Sequence, residues 1–123
     1  MARAITYRPK SRSKYGNRKC SVDGYTFDSV KEMNHYMDLK YRQLAGEIED
    51  LQLQVPFTLQ ESFVDINGKR QRPIVYIADF TYKIASTGEM VIEDVKSPVT
   101  ANNGVYKLKK KMMLYRGLEV KEI

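Results

Sequence analysis

The sequence predicts an α/β domain with two helices and strands joined largely by hairpins. Three observations carry that reading: an apolar stripe at helical spacing over residues 29–45, alternating runs over 51–60 and 75–84, and a lysine-rich helical segment over about 105–116.

The first helix opens at Asp28 or Ser29, either of which can cap it, and stops at Gly46. Val30, Met33, Met37, Tyr41 and Leu44 form its expected buried stripe, which leaves Glu32 beside His35 and Tyr36, facing a cleft at the sheet edge. The next strand alternates strictly. Leu51, Leu53, Val55, Phe57 and Leu59 are expected on the core, with Gln52, Gln54, Thr58 and Gln60 on the other face. Pro56 marks an edge or a bulge. Asn67-Gly68 signals a hairpin turn between Phe63-Val64 and the segment from Arg70. Over 75–84, Tyr76, Ala78, Phe80, Tyr82 and Ile84 share one side, expected in the core, and Val75, Ile77, Asp79, Thr81 and Lys83 share the other. Ser86-Thr87-Gly88-Glu89 then turns the chain into a strand over 90–96. Ser97-Pro98 ends that strand, Asn102-Asn103-Gly104 precedes the last helix, and Gly117 stops it. That helix has an expected apolar stripe of Val105, Leu108, Met112 and Tyr115, with Lys107, Lys109, Lys110 and Lys111 over the rest. Residues 118–123 are expected to close the sheet as a short strand.

With 123 residues, 42% of them hydrophobic, the chain can bury one core and not two. Its formal charge of +6 is unevenly placed. Arg3, Arg8, Lys10, Arg12, Lys14, Arg18 and Lys19 put +7 on residues 1–20 with no acid, whereas residues 21–123 carry −1. The expected organisation is a basic flexible arm over 1–20 followed by one domain over 21–123. Tyr7, Tyr15, Gly16 and Asn17 among the cations suit a nucleic-acid partner, a solvated tail being the plain alternative. No apolar run approaches the ~20 residues of a membrane span. No signal-peptide hydrophobic region opens the chain, and a single cysteine, Cys20, excludes an internal disulfide, so a cytoplasmic protein is expected. His35 is the only histidine, which excludes a zinc-ligand set and an HNH-type nuclease; it is expected exposed on its helix.

Asp79 and Asp94 carry the sharpest chemistry. In an antiparallel hairpin the numbers of opposed residues sum to a constant, and the midpoint of 79 and 94 falls at 86.5, inside the 86–89 turn. The two carboxylates should therefore face each other across the ladder with Cβ atoms about 5 Å apart, near enough to hold one hard cation. Lys96 projects from the same face as Asp94, and Glu93 from the opposite one. Mg²⁺ suits such a pair, because it keeps coordination positions for water and phosphate oxygens, as phosphodiester hydrolysis requires. Lys96 would orient or help deprotonate the attacking water, or stabilise the extra negative charge of the transition state. Plain alternatives stand beside these roles. An Asp-x-Lys pair can be two exposed charges, Ser29-Val30-Lys31-Glu32 fits a capping box with Glu32 reaching back to the Ser29 N–H, and Gln54 fits a solvated strand face.

The order of helix Glu32, strand, Asp79 hairpin, Asp94-Val95-Lys96 and helix resembles the PD-(D/E)XK nuclease superfamily. More closely, five segments are similar to a family of small, mostly phage-encoded proteins placed in it, over about residues 13–123. They are Ser13-Lys14-Tyr15-Gly16-Asn17-Arg18-Lys19, Val22-Asp23-Gly24-Tyr25-Thr26-Phe27-Asp28-Ser29, Leu53-Gln54-Val55, Tyr76-Ile77-Ala78-Asp79-Phe80 and Glu93-Asp94-Val95-Lys96. The resemblance implies a restriction-endonuclease-like αβββαβ core, with a central mixed sheet flanked by helices, that cuts DNA with Mg²⁺ or Mn²⁺. It implies Asp79 and Asp94 as metal ligands, Lys96 as the catalytic lysine and Glu32 as the accessory acid of the first helix, also a ligand. Gln54-Val55-Pro56 resembles the stretch in which the small nuclease subunit of Tn7-type transposases places a glutamine beside its active site. Ala78 stands where the superfamily has proline, a structural position, and Asp94 is one methylene shorter than the usual glutamate.

Small phage nucleases of this superfamily serve recombination or genome processing. With a basic arm and no sequence-reading module, the resemblance points to branched DNA such as a Holliday junction, cut in the host cytoplasm by a homodimer carrying two sites. Lys14, Arg18, Lys19, Lys107, Lys109 and Lys110 are the expected DNA contacts, with a solvated charged face the alternative for the helix lysines. Two other classes fit the same residues: a non-catalytic DNA-binding accessory that keeps the fold, and a subunit whose cutting depends on a partner.

Overall fold

A computed structural model describes residues 19–123. The basic arm, with Lys14 and Arg18, lies outside the described residues except for its last two positions. The described chain opens with a small hairpin, β1 (Cys20–Val22) and β2 (Tyr25–Phe27), followed by α1 (Val30–Leu44) and the long strand β3 (Ile48–Gln60). A second small hairpin, β4 (Phe63–Val64) and β5 (Arg70–Gln71), leads into β6 (Ile74–Ile84) and β7 (Met90–Asp94). A single turn α2 (Pro98–Ala101), helix α3 (Gly104–Tyr115) and strand β8 (Val120–Glu122) complete it. The β1–β2 hairpin and α2 were not foreseen, since their strands and turn are too short to show a period.

The main sheet has the order β3-β6-β7-β8. β3, β6 and β7 are antiparallel neighbours, whereas β8 lies parallel to β7 because α2 and α3 carry the chain back across the sheet. The molecule is therefore mixed α/β. β3 is an edge strand, which is where Pro56, lacking an N–H, costs no ladder bond on the open side.

Two apolar clusters sandwich the sheet. One joins Phe27, Tyr36, Leu39, Leu53, Phe80 and Val91 beneath α1; the other joins Leu59, Tyr76, Ala78, Ile92, Tyr106 and Met113 beneath α3. Leu53 and Leu59 have the same parity in β3, as do Ala78 and Phe80 in β6, yet each pair is divided between the clusters. The β3–β6 ribbon runs on past the last β7 pairing at Phe80, and there residues of the same parity join the second cluster in place of the first. Leu51, Val55 and Phe57 are only partly buried, contrary to the expectation of one continuous core face.

Both helices are rotated from their expected orientation. In α1 the buried residues are Glu32, Tyr36 and Leu39, with Met33 and Met37 on the flank. Val30, Tyr41 and Leu44, expected inside, are exposed, Leu44 to 73%. In α3 Tyr106 and Met113 are buried while Val105, Leu108 and Tyr115 lie outside. The cause is the same in both. Counting apolar residues rejects a polar side chain from the core, but Glu32, His35 and Tyr106 all find partners there, so the face that buries them loses nothing to unsatisfied groups. Among the described residues no helix is long and apolar enough to cross a membrane.

Candidate active site

The β6–β7 ladder pairs Phe80 with Glu93 and Thr81 with Ile92, so one step further the register sets Asp79 opposite Asp94. There β7 parts from β6. Asp79 fills the gap, its Oδ2 accepting the Val95 N–H at 2.9 Å where the ladder bonds stop. On its other side Asp79 faces Gln54, placed opposite by the pairings of Leu53 with Phe80 and Val55 with Ala78. Gln54 Nε2 donates to Asp79 Oδ1 at 3.2 Å. Gln54 holds a left-handed φ of 54°, uncommon for a residue with a Cβ, and this kink in β3 lies at the level of the acids.

Glu32 reaches the same point from the first turn of α1. Ser29 caps the helix by accepting the Glu32 N–H at 3.1 Å, and Glu32 Oε1 accepts the Asp28 N–H at 3.2 Å rather than that of Ser29. Capping and membership of the acid group are thus compatible. The Asp79 carboxyl is near enough to Glu32 and to Asp94 to act on the charge of both. Burial, followed by the nearby Asp79 charge, pushes the Glu32 carboxyl well above its ordinary range. Asp94, 2% exposed, is pushed up for the same reasons, against the pull of Lys96 and the Tyr76 hydroxyl, which donates to Asp94 Oδ2. Crowded acids of this kind need protons or a cation.

Lys96 supplies one positive charge. Its Nζ stands 3.7 Å from Asp94 Oδ1 and 4.2 Å above the centre of the Tyr106 ring, a cation–π position. Tyr106 is itself held by a hydrogen bond from its hydroxyl to Glu122, 2.9 Å away, and Glu122 also takes Lys110 at 2.8 Å. Glu32, Asp79 and Lys96 open onto a cleft of about 380 Å³ whose rim includes Lys19, Lys31, Ser97 and Thr100, and Asp94 lies buried behind it. Among the described residues no set of three or more His, Cys, Asp or Glu side chains forms a ready-made metal cage. The donors that do meet are carboxylates alone, which suit a hard cation, and Mg²⁺ binds through only one or two of them, with water and phosphate oxygens for the rest. The residues present therefore fit such an ion.

Of the other expected site residues, Lys19 is paired with Asp28 at 2.6 Å, Lys107 is exposed on α3, and Lys109 is half-buried. His35 is not the exposed residue expected. Its Nε2 lies 2.6 Å from Glu93 Oε1, and the Tyr82 hydroxyl donates to the other Glu93 oxygen at 2.7 Å. Burial alone would raise the Glu93 carboxyl, but these bonds outweigh it and hold it below its ordinary range. Glu93 thus braces α1 against β7 on the face opposite Asp94. Tyr76 and Tyr106 escaped the sequence reading, which placed Tyr76 on the side of β6 away from Asp79. The Ser97-Pro98-Val99-Thr100 capping box, formed by reciprocal Ser97 and Thr100 bonds, was a legible signal for α2 at the cleft rim.

Fold and site together define a mixed α/β domain whose sheet gathers buried carboxylates and one lysine at a cleft. The chain belongs to the family described as protein of unknown function (DUF1064), whose model matches residues 12–123. Neither a curated protein nor a solved structure matches it.

Proposed function

We propose that this protein is a Mg²⁺- or Mn²⁺-dependent endodeoxyribonuclease of the PD-(D/E)XK type, acting on branched DNA in the cytoplasm. The observation that carries the reading is the gathering of Glu32, Asp79 and Lys96 at a cleft rimmed by lysines, with the buried Asp94 carboxylate 3.7 Å from Lys96. The element order α1-β3-β6-β7-α3-β8, once the small hairpins and α2 are set aside, supports the αβββαβ reading of the core. Asp79 and Asp94 would hold the ion, with Glu32 as a third, outer acid. A bound divalent ion supplies Lewis-acid polarisation of the scissile phosphate and of a water. Gln54 fixes one Asp79 oxygen and the Val95 N–H fixes the other, so the carboxylate is oriented before any ligand arrives. Lys96, set over the Tyr106 ring, is poised to orient the attacking water and to meet the negative charge that develops on the phosphoryl oxygens. Lys107 and Lys109 on α3 and Lys19 at the cleft offer phosphate contacts. Resolving a four-way junction requires two such sites, hence a homodimer.

The test is cleavage of linear, nicked, flapped and four-way-junction DNAs by the wild type and Asp94→Asn with Mg²⁺, Mn²⁺ or EDTA. Metal-dependent cutting of branched substrates, lost in Asp94→Asn, is expected. Binding without cutting under every condition would replace the enzyme by an accessory DNA-binding protein.

A further inference from the structure

Between β3 and β6 the chain leaves the main sheet and forms a hairpin of its own, in which Phe63 opposes Gln71 and Val64 opposes Arg70. Two residue pairs make a marginal ladder, and the tip is held by Asp65 instead. Its Oδ1 accepts the N–H groups of Asn67 and Lys69, each at 2.9 Å, and its Oδ2 accepts Gln71 Nε2 at 2.8 Å. Gly68 completes the turn at φ 79°, where a Cβ would be strained. The one acid of the tip is therefore engaged within the hairpin, on the Phe63 and Gln71 face. Alternation puts Val64 and Arg70 on the other face, neither of them an acid, and Arg72 follows just past the end of β5. Lys69, Arg70 and Arg72 enter no ion pair among the described residues. At the end stands Ile66, 100% exposed, a β-branched apolar side chain in a turn where polar residues are usual.

We infer that the β4–β5 hairpin is a second DNA contact, with Lys69, Arg70 and Arg72 on backbone phosphates and Ile66 pressed into a groove against the base edges. The chemistry matches on both counts: unpaired cations neutralise phosphates, and apolar wedges beside them are how proteins enter the minor groove. Its placement also fits. From Ile74 at the root of the hairpin to Asp79, β6 runs about 17 Å at about 3.3 Å per residue, a distance that one DNA strand covers in about five phosphates. A duplex engaged at the acids would thus reach the hairpin within half a helical turn. The inference rests on the nuclease reading and names a holding element outside its cleft.

The test uses Asp94→Asn as parent, so that binding is read without cutting. Fluorescence anisotropy with a labelled 30-base-pair duplex and a four-way junction is followed from 50 to 300 mM KCl. Adding Lys69→Ala, Arg70→Ala and Arg72→Ala is expected to reduce the slope of log affinity against log salt by about 2 to 3. Ile66→Ser, a change at a fully exposed side chain that the fold tolerates, is expected to weaken binding with the slope unchanged. Lys83→Ala, which removes an exposed charge at the far end of β6, serves as the control and should leave the slope as it was. A triple variant with the parent's affinity and slope overturns the hairpin contact and leaves the nuclease reading standing. A parent that binds neither DNA overturns both.

Discussion

At Asp94 burial and the Asp79 carboxyl favour the protonated form, and the Tyr76 hydroxyl and Lys96 favour the charged one. Tyr76→Phe removes a hydrogen bond to the charged form without changing the packing of the ring. The acid limb of the pH–cleavage profile is then expected to move upward by about one to two pH units, since a hydrogen bond to a charged group contributes about 1.5–3 kcal/mol. A limb that stays in place would mean that Asp94 does not control the rate. The register that brings Asp79 opposite Asp94, one step past the last ladder pair, was legible because a turn sets a hairpin's register locally. Tyr76 was not, because it shares its parity with Phe80 rather than Asp79, and its bond to Asp94 joins residues 18 apart in the chain.

Helix α1 shows the limit of a periodic pattern. Its start at the Ser29 cap and its end near Gly46 were readable from local chemistry, whereas its rotation was not. The apolar stripe makes Leu44 a core residue, but Leu39 is the fully buried leucine and Leu44 faces water. Leu39→Ala is expected to lower stability by about 2–5 kcal/mol in urea denaturation, and Leu44→Ala by less than about 0.5. The reverse order would restore the stripe as the packing face and remove Glu32 from the acid cluster. The rotation follows from contacts that no window of sequence contains: Tyr36 donating to Asp23 at 2.8 Å, His35 meeting Glu93, and Glu32 meeting Asp79.

For the whole molecule, the acid cluster makes stability depend on pH. Glu32 and Asp94 hold their protons up to about 8 in the folded chain, whereas free carboxyls in the unfolded chain release theirs near about 4. The folded state therefore binds more protons between those values, and stability falls as pH rises through that window. In EDTA the melting temperature is expected to drop from pH 5 to pH 8, and Mg²⁺ at pH 8 to recover part of the loss by binding only the folded state. A melting temperature that rises over this range would exclude the crowded, proton-holding site. The sequence by itself determined the α/β class, the main strands and helices, and the opposition of Asp79 and Asp94, because caps, turns and alternation act over a few residues. Only the tertiary structure decided which faces of α1 and α3 are buried, and that Tyr76 and Tyr106 stand beside Asp94 and Lys96. Those outcomes depend on polar partners far apart in the chain, which leave no mark on local periodicity.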